Sequence, residues 1–157
     1  GQPGAGPAID RNKGVHNVLD PVKDKYQIIF EQTANFARAE ALSVTEAGLA
    51  ANGKPDAIIC ANDDMALGAI EACAARGFTD VKIYGFDALP EALVAVRDGT
   101  LAGTVEQFPG EQSRTAVRIA VAYAKDKTEP AEKLVLLTPV VIGKDNLDKA
   151  ERIGEAG

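Results

Sequence analysis

The sequence predicts an α/β protein: a doubly wound parallel sheet with helices on both faces. Three observations carry this. Short apolar runs, such as residues 56–61 (DAIICA) and 81–86 (VKIYGF), have the length and make-up of strands buried on both sides. The segments between them repeat apolar residues at helical spacing. The two kinds alternate along the chain, the order in which crossover helices join parallel strands.

The elements follow in order. Residues 8–19 read as helix, ending before Asp20-Pro21, and residues 26–30 (YQIIF) as a short apolar strand. Residues 36–51 read as helix, with Asn35 as a candidate cap, Gly53 at the C-terminal end and Pro55 as the stop. After the strand at 56–61, residues 64–76 read as helix, with Met65, Ala69, Ile70 and Cys73 on one face and Gly77 past its end. Residues 81–86 form the third strand. The next helix has Pro90 in its first turn and Gly99 at its end, the asymmetry expected of a helix. A fourth strand at 101–106, a helix at 112–125, an extended run at 134–142 (LVLLTPVVI) and a short helix at 145–152 complete the pattern.

The opening GQPGAGP turn runs straight into a helix, an arrangement that normally follows a strand. A strand is therefore expected ahead of Gly1. The first residue is not Met and the single methionine is Met65, so the chain reads as processed, trimmed or cut from something longer.

Composition narrows the function classes. With 157 residues the chain fits one domain, and its 46% apolar content is that of a packed globular protein. A net charge of −6 without a basic run argues against nucleic acid and against anionic membrane surfaces. No apolar run is long enough for membrane insertion and no signal-peptide pattern is visible. Cys60 and Cys73 read as small core residues rather than a disulfide, and the lone His16 cannot build a histidine-based zinc site.

In open parallel sheets, ligands sit beyond the carboxyl ends of the strands. Asn62 follows DAIICA, Asp87 follows VKIYGF and Gln107 follows LAGTVE. Phe36 stands beyond YQIIF, and Arg11 follows the opening loop. A guanidinium, two amides, a carboxylate and an aromatic ring suit a ligand rich in hydroxyls, each both donor and acceptor. Singly, Asn62 and Asp87 read as helix caps, Phe36 as core and Arg11 as a surface residue; together at one sheet edge they read as a site. Support for catalysis is thin: there is no GxSxG, HExxH, phosphate-binding GK[ST] or complete GxGxxG, and no cofactor motif. Asp63 and Asp64 could pair or hold a metal, but adjacent acids at a helix start more often serve the helix dipole.

The ordered series GQPGAGPAIDRNKG, EQTANFARAEAL, CANDDMALGAIEA, VKIYGFDALPEALVAVRDG and GTVEQFPGEQSRTAV strongly resembles the ribose-type sugar-binding proteins of bacterial ABC importers, the type I periplasmic binding proteins. The resemblance covers nearly the whole chain and implies the C-terminal lobe of a two-lobed protein that closes on a sugar. Residues 1–157 would be that sugar-binding lobe. The chain would cross the hinge near Gln107–Pro109 and return near Leu136–Val141. Residues 110–133 would supply that crossing and a helix of the missing N-terminal lobe. That helix is expected to expose an apolar patch, or to be covered by the missing lobe or a second chain. Arg11, Asn62, Asp87 and Gln107 would bond the hydroxyls of a monosaccharide or polyol, and Phe36 would pack on its ring. The opening turn would then present Arg11 to a neutral polyol rather than cradle phosphate. The intact protein would be periplasmic or otherwise extracytoplasmic, would dock on an ABC permease, and would act without chemistry. The alternative is the effector-binding domain of a LacI-type sugar-responsive regulator; the TPVVIGKDNLDKA tail favours the importer class. An enzyme on a doubly wound sheet is a third reading, without a motif to support it.

Overall fold

The computed structural model describes residues 1–157. In chain order its elements are α1 (Gly6–Leu19), α2 (Arg38–Asn52), β1 (Ala57–Ile59), α3 (Asp63–Ala75), β2 (Lys82–Tyr84), α4 (Pro90–Asp98), β3 (Thr104–Glu106), α5 (Pro109–Asp126) and β4 (Val140–Ile142). Short 3-10 turns occur at Asp20–Val22, Lys144–Lys149 and Ile153–Glu155.

β1 and β2 pair in parallel, with Ile58 opposite Ile83. A parallel bridge from Tyr84 to Gly103 carries the ladder on to β3, reinforced by Ala102 N–H to Ile83 O (2.8 Å) and Asp87 N–H to Val105 O (2.9 Å). β4 joins β3 antiparallel, with Val141 opposite Val105. The α/β class and the parallel run of the first three strands follow the alternation in the sequence; the antiparallel return of β4 does not.

The capping signals of α3 and α4 act as chemistry dictates. Asn62 caps α3, its Oδ1 accepting from Met65 N–H at 3.0 Å. Pro90 opens α4, and Gly99 closes it in the left-handed region at φ 84°. Asn35 does not cap α2. The cap position is Ala37, and the Asn35 amide donates to Glu40 Oε2 at 2.6 Å instead. The terminal helix expected at 145–152 is two 3-10 turns, and helix α5 starts three residues earlier than the apolar spacing suggested.

The main core is made of small and aliphatic side chains from α2, α3, β2 and α4, including Leu49, Met65, Ala69, Cys73, Ile83 and Val96. Both cysteines are buried free thiols. The helices α2 and α3 approach closely at Gly68, where a Cβ would collide with Arg38 O and lie 3.0 Å from Leu42 N. A second, smaller cluster of Ala88, Leu93, Ile142, Ala150 and Ala156 packs the C-terminal segment against α4 and β4.

Coverage of the sheet is uneven. Ile59 and Tyr84, side by side in the β1–β2 register, remain 54% and 40% exposed. Residues 26–30 form no strand, because no neighbouring strand offers them a hydrogen-bonding partner. Of that segment, Phe30 lies over Gly48 of α2, where a Cβ would come within 2.9 Å of its ring. Likewise only Val140–Ile142 of the 134–142 run is paired. Neither α1 nor α5 has a buried residue, and on α5 Val117, Val121 and Tyr123 are exposed. No helix is long and apolar enough to cross a membrane.

Candidate functional site

The carboxyl ends of β1, β2 and β3 converge on one edge, where Arg11, Asp87 and Gln107 meet directly and Asn62 holds Phe36, the two groups adjoining through the Ala61–Asn62 backbone. Gly4, at φ 84°, turns the opening segment into α1. One turn into that helix, Arg11 Nη1 donates to Ala61 O at 2.7 Å, just past β1. Its guanidinium lies 3.7 Å from the centre of the Phe86 ring, and Nη2 stands 3.5 Å from Asp87 Oδ1. Gln107 Nε2, just past β3, donates to the same Oδ1 at 2.9 Å. On the other side of Ala61, Asn62 Nδ2 donates to Phe36 O at 3.3 Å.

Each residue has a place set by its local chain. Asn62 is buried and divides its amide between capping α3 and holding Phe36. Phe36 is partly buried against the main core, and Gly1 sits so close that a Cβ there would reach 2.8 Å from the ring. Gln107 is held by its own carbonyl, which accepts from Gln112 Nε2 at 2.6 Å. Backbone strain concentrates at the same edge: Phe36, Asp87, Ala88 and Phe108 all have positive φ although none is glycine.

Burial pushes the Asp87 carboxyl above the usual carboxylate range, and the Arg11 and Arg152 charges oppose that rise. The site thus combines a guanidinium, a partly desolvated carboxyl, two amides and an aromatic ring, with no nucleophile paired to a base. Such a set can hydrogen-bond a polyhydroxylated molecule by donation and acceptance together.

The two acids of the ND-D stretch separate. Asp64 turns outward and pairs with Arg38 at 3.3 Å, and Arg38 also binds Glu91 at 2.7 Å. Asp63 turns inward and is solvent-free, accepting from Thr104 Oγ1 at 2.7 Å and Leu89 N–H at 2.8 Å. Burial pushes its carboxyl up to about 6. No three His, Cys, Asp or Glu residues come together as a metal-binding group.

Sequence reasoning missed Phe86, Asp63, Thr104 and Arg152 as parts of this edge. Phe86 was findable, since it directly precedes Asp87. Arg152 donates to Asp87 O at 2.8 Å from 65 residues away in the chain, and no local pattern announces that contact.

A family model of the periplasmic binding protein domain matches residues 1–128. The chain belongs to that family. The ribose import binding protein of Salmonella typhimurium is 34% identical over 137 residues, 87% of this chain and 44% of that protein. A xylitol-binding protein of Mycolicibacterium smegmatis is 33% identical over 90% of this chain and 40% of its own length. Among solved structures, the Caulobacter myo-inositol binding protein bound to myo-inositol is 48% identical with a TM-score of 0.85, over 94% of this chain and 50% of that one. This periplasmic-binding-protein chain therefore spans about half the length of the relatives it matches.

Proposed function

We propose that this chain supplies one wall of a monosaccharide- or polyol-binding cleft in the solute-binding component of a carbohydrate ABC importer. It works outside the cytoplasm and binds its ligand without chemistry. The observation that carries the reading is the convergence of Arg11, from α1, and Gln107, from the end of β3, on one carboxyl oxygen of Asp87 at the end of β2. Hydroxyl groups of a ligand compete for these donors and for the second oxygen of Asp87. Asn62 adds a further donor, and Phe36 offers an apolar face for the C–H side of a ring.

The relatives named for ribose, xylitol and myo-inositol support this class of ligand. The chain spans about half the length of those relatives, and in this reading the remainder of the cleft would come from an N-terminal lobe. Residues 110–133 resemble the hinge crossing and a helix of that lobe, and the lack of any buried residue on α5 supports their belonging there. Both lobes together would present a docking face to the permease.

The test is a titration of the isotope-labelled chain with myo-inositol, D-ribose and xylitol, followed by backbone and side-chain amide resonances. One or more of the three shifts the signals of Asn62, Asp87 and Gln107, with weak affinity because only one wall is present. Replacing the Arg11 guanidinium, Arg11→Met, weakens binding about tenfold or more, as loss of a charged hydrogen-bond donor does. The reading is overturned if all three polyols leave those signals unmoved at tens of millimolar.

A further inference from the structure

The turn that carries Asp87 is strained and held from two sides. Asp87 and Ala88 have φ of 113° and 49°. Residues other than glycine keep such angles only where the surroundings over-determine them. On one side Ala88 N–H donates to Thr104 Oγ1 at 3.2 Å, and Leu89 N–H to Asp63 Oδ2 at 2.8 Å. The Thr104 hydroxyl itself donates a hydrogen bond to Asp63 Oδ1 at 2.7 Å, so one hydroxyl both accepts from the turn and is locked to the Asp63 carboxyl group. On the other side Arg152 Nη2 donates to Asp87 O at 2.8 Å and Ala88 O at 3.2 Å. With Asp87 N–H bound to Val105 O, every backbone polar group from Asp87 N to Leu89 N has a partner.

The grip is built into the core. Asp63 and Thr104 are 0% and 1% exposed and have no surface to offer a ligand. Gly85 leaves room for Asp63, because a Cβ there would collide with Asp63 Oδ1. What the grip decides is the direction of the Asp87 side chain, and with it the meeting of Arg11 and Gln107 at Asp87 Oδ1.

We infer that Asp63, Thr104 and Arg152 are positioning residues of the ligand site: without touching ligand, they set the aim of the Asp87 carboxylate. The inference rests on the reading of Asp87 as a ligand-binding residue.

The experiment compares Thr104→Val, which keeps the shape and removes the hydroxyl, with Thr104→Ser, which keeps the hydroxyl. Two quantities are read on folded protein: the Gln107 side-chain amide resonance without ligand, and the affinity for myo-inositol. Thr104→Val moves the Gln107 resonance toward that of a free amide and weakens myo-inositol binding about tenfold, the scale of one lost buried hydrogen bond. Thr104→Ser restores both, which a general loss of packing would not do. A folded Thr104→Val protein with the wild-type Gln107 resonance overturns the inference. Should Thr104→Val fail to fold, Arg152→Gln removes the opposite grip from outside the main core and is read in the same way. If the wild-type chain binds no polyol, the site reading fails by itself, and the Gln107 resonance still decides whether the grip aims Asp87.

Discussion

Arg11 is the tether of α1 to the strand ends, and removing its guanidinium should loosen that helix while leaving the core intact. No residue of α1 is buried. Its other long-range side-chain bonds run from Asn12 and His16 to Glu31, on an exposed segment outside the core. In Arg11→Met the apolar stem survives and three contacts go. The charged hydrogen bond to Ala61 O contributes about 1.5–3 kcal/mol. The stack on Phe86 contributes about 0.5–1 kcal/mol, and the 3.5 Å approach to Asp87 about 0.5 kcal/mol. Part of this is offset, because the thioether needs no desolvation and packs on the same ring, leaving a net loss of about 2 kcal/mol. Amide hydrogen exchange reads such local opening directly, and that loss corresponds to about 30-fold faster exchange across α1. Amides of α3 and β2 should keep their protection. The same substitution should raise the Asp87 carboxyl further, since Arg11 is the leading opponent of its burial. Unchanged exchange across α1 in a folded Arg11→Met protein would refute the tether.

Two further outcomes follow from the core. Asp63 holds its proton more tightly folded than unfolded, its carboxyl pushed up by burial to about 6 from 3.8. Its contribution is therefore fully favourable below pH about 4, declines as pH rises, and costs about 3 kcal/mol above pH about 6. Urea unfolding from about pH 4 to about pH 6.5, the window between the unfolded and folded values, should show a smaller fall in stability for Asp63→Asn than for wild type, and equal falls would discard the assignment. Gly68→Ala should separate α2 from α3, since its Cβ meets the Arg38 carbonyl. Overpacking outweighs the gain in helix propensity, for a net loss of about 2 kcal/mol and a melting temperature lower by roughly 4–8 °C. A melting temperature at or above wild type would show that the helices can part freely.

The sequence by itself determined the order of helices and strands, most helix ends and the five residues at the sheet edge. These are local matters. Apolar spacing within a dozen residues selects helix or strand, and a cap such as Asn62 bonds within one turn. The strand-end rule then needed only the end of an apolar run to find Asn62, Asp87 and Gln107, whereas Phe36 follows a run that forms no strand and Arg11 follows the opening loop. Tertiary structure alone decided the rest. Residues 26–30 have strand composition, but a strand exists only with a partner, and none lies beside them. β4 runs antiparallel because the long excursion through α5 returns it to β3 from the opposite direction. Asp63 and Asp64 are chemically equal neighbours, and only the packing of α3 sends one inward to Thr104 and the other outward to Arg38. Arg152 reaches Asp87 across 65 residues. Such contacts are set by closeness in space after the chain has folded, and no periodicity along the chain encodes them.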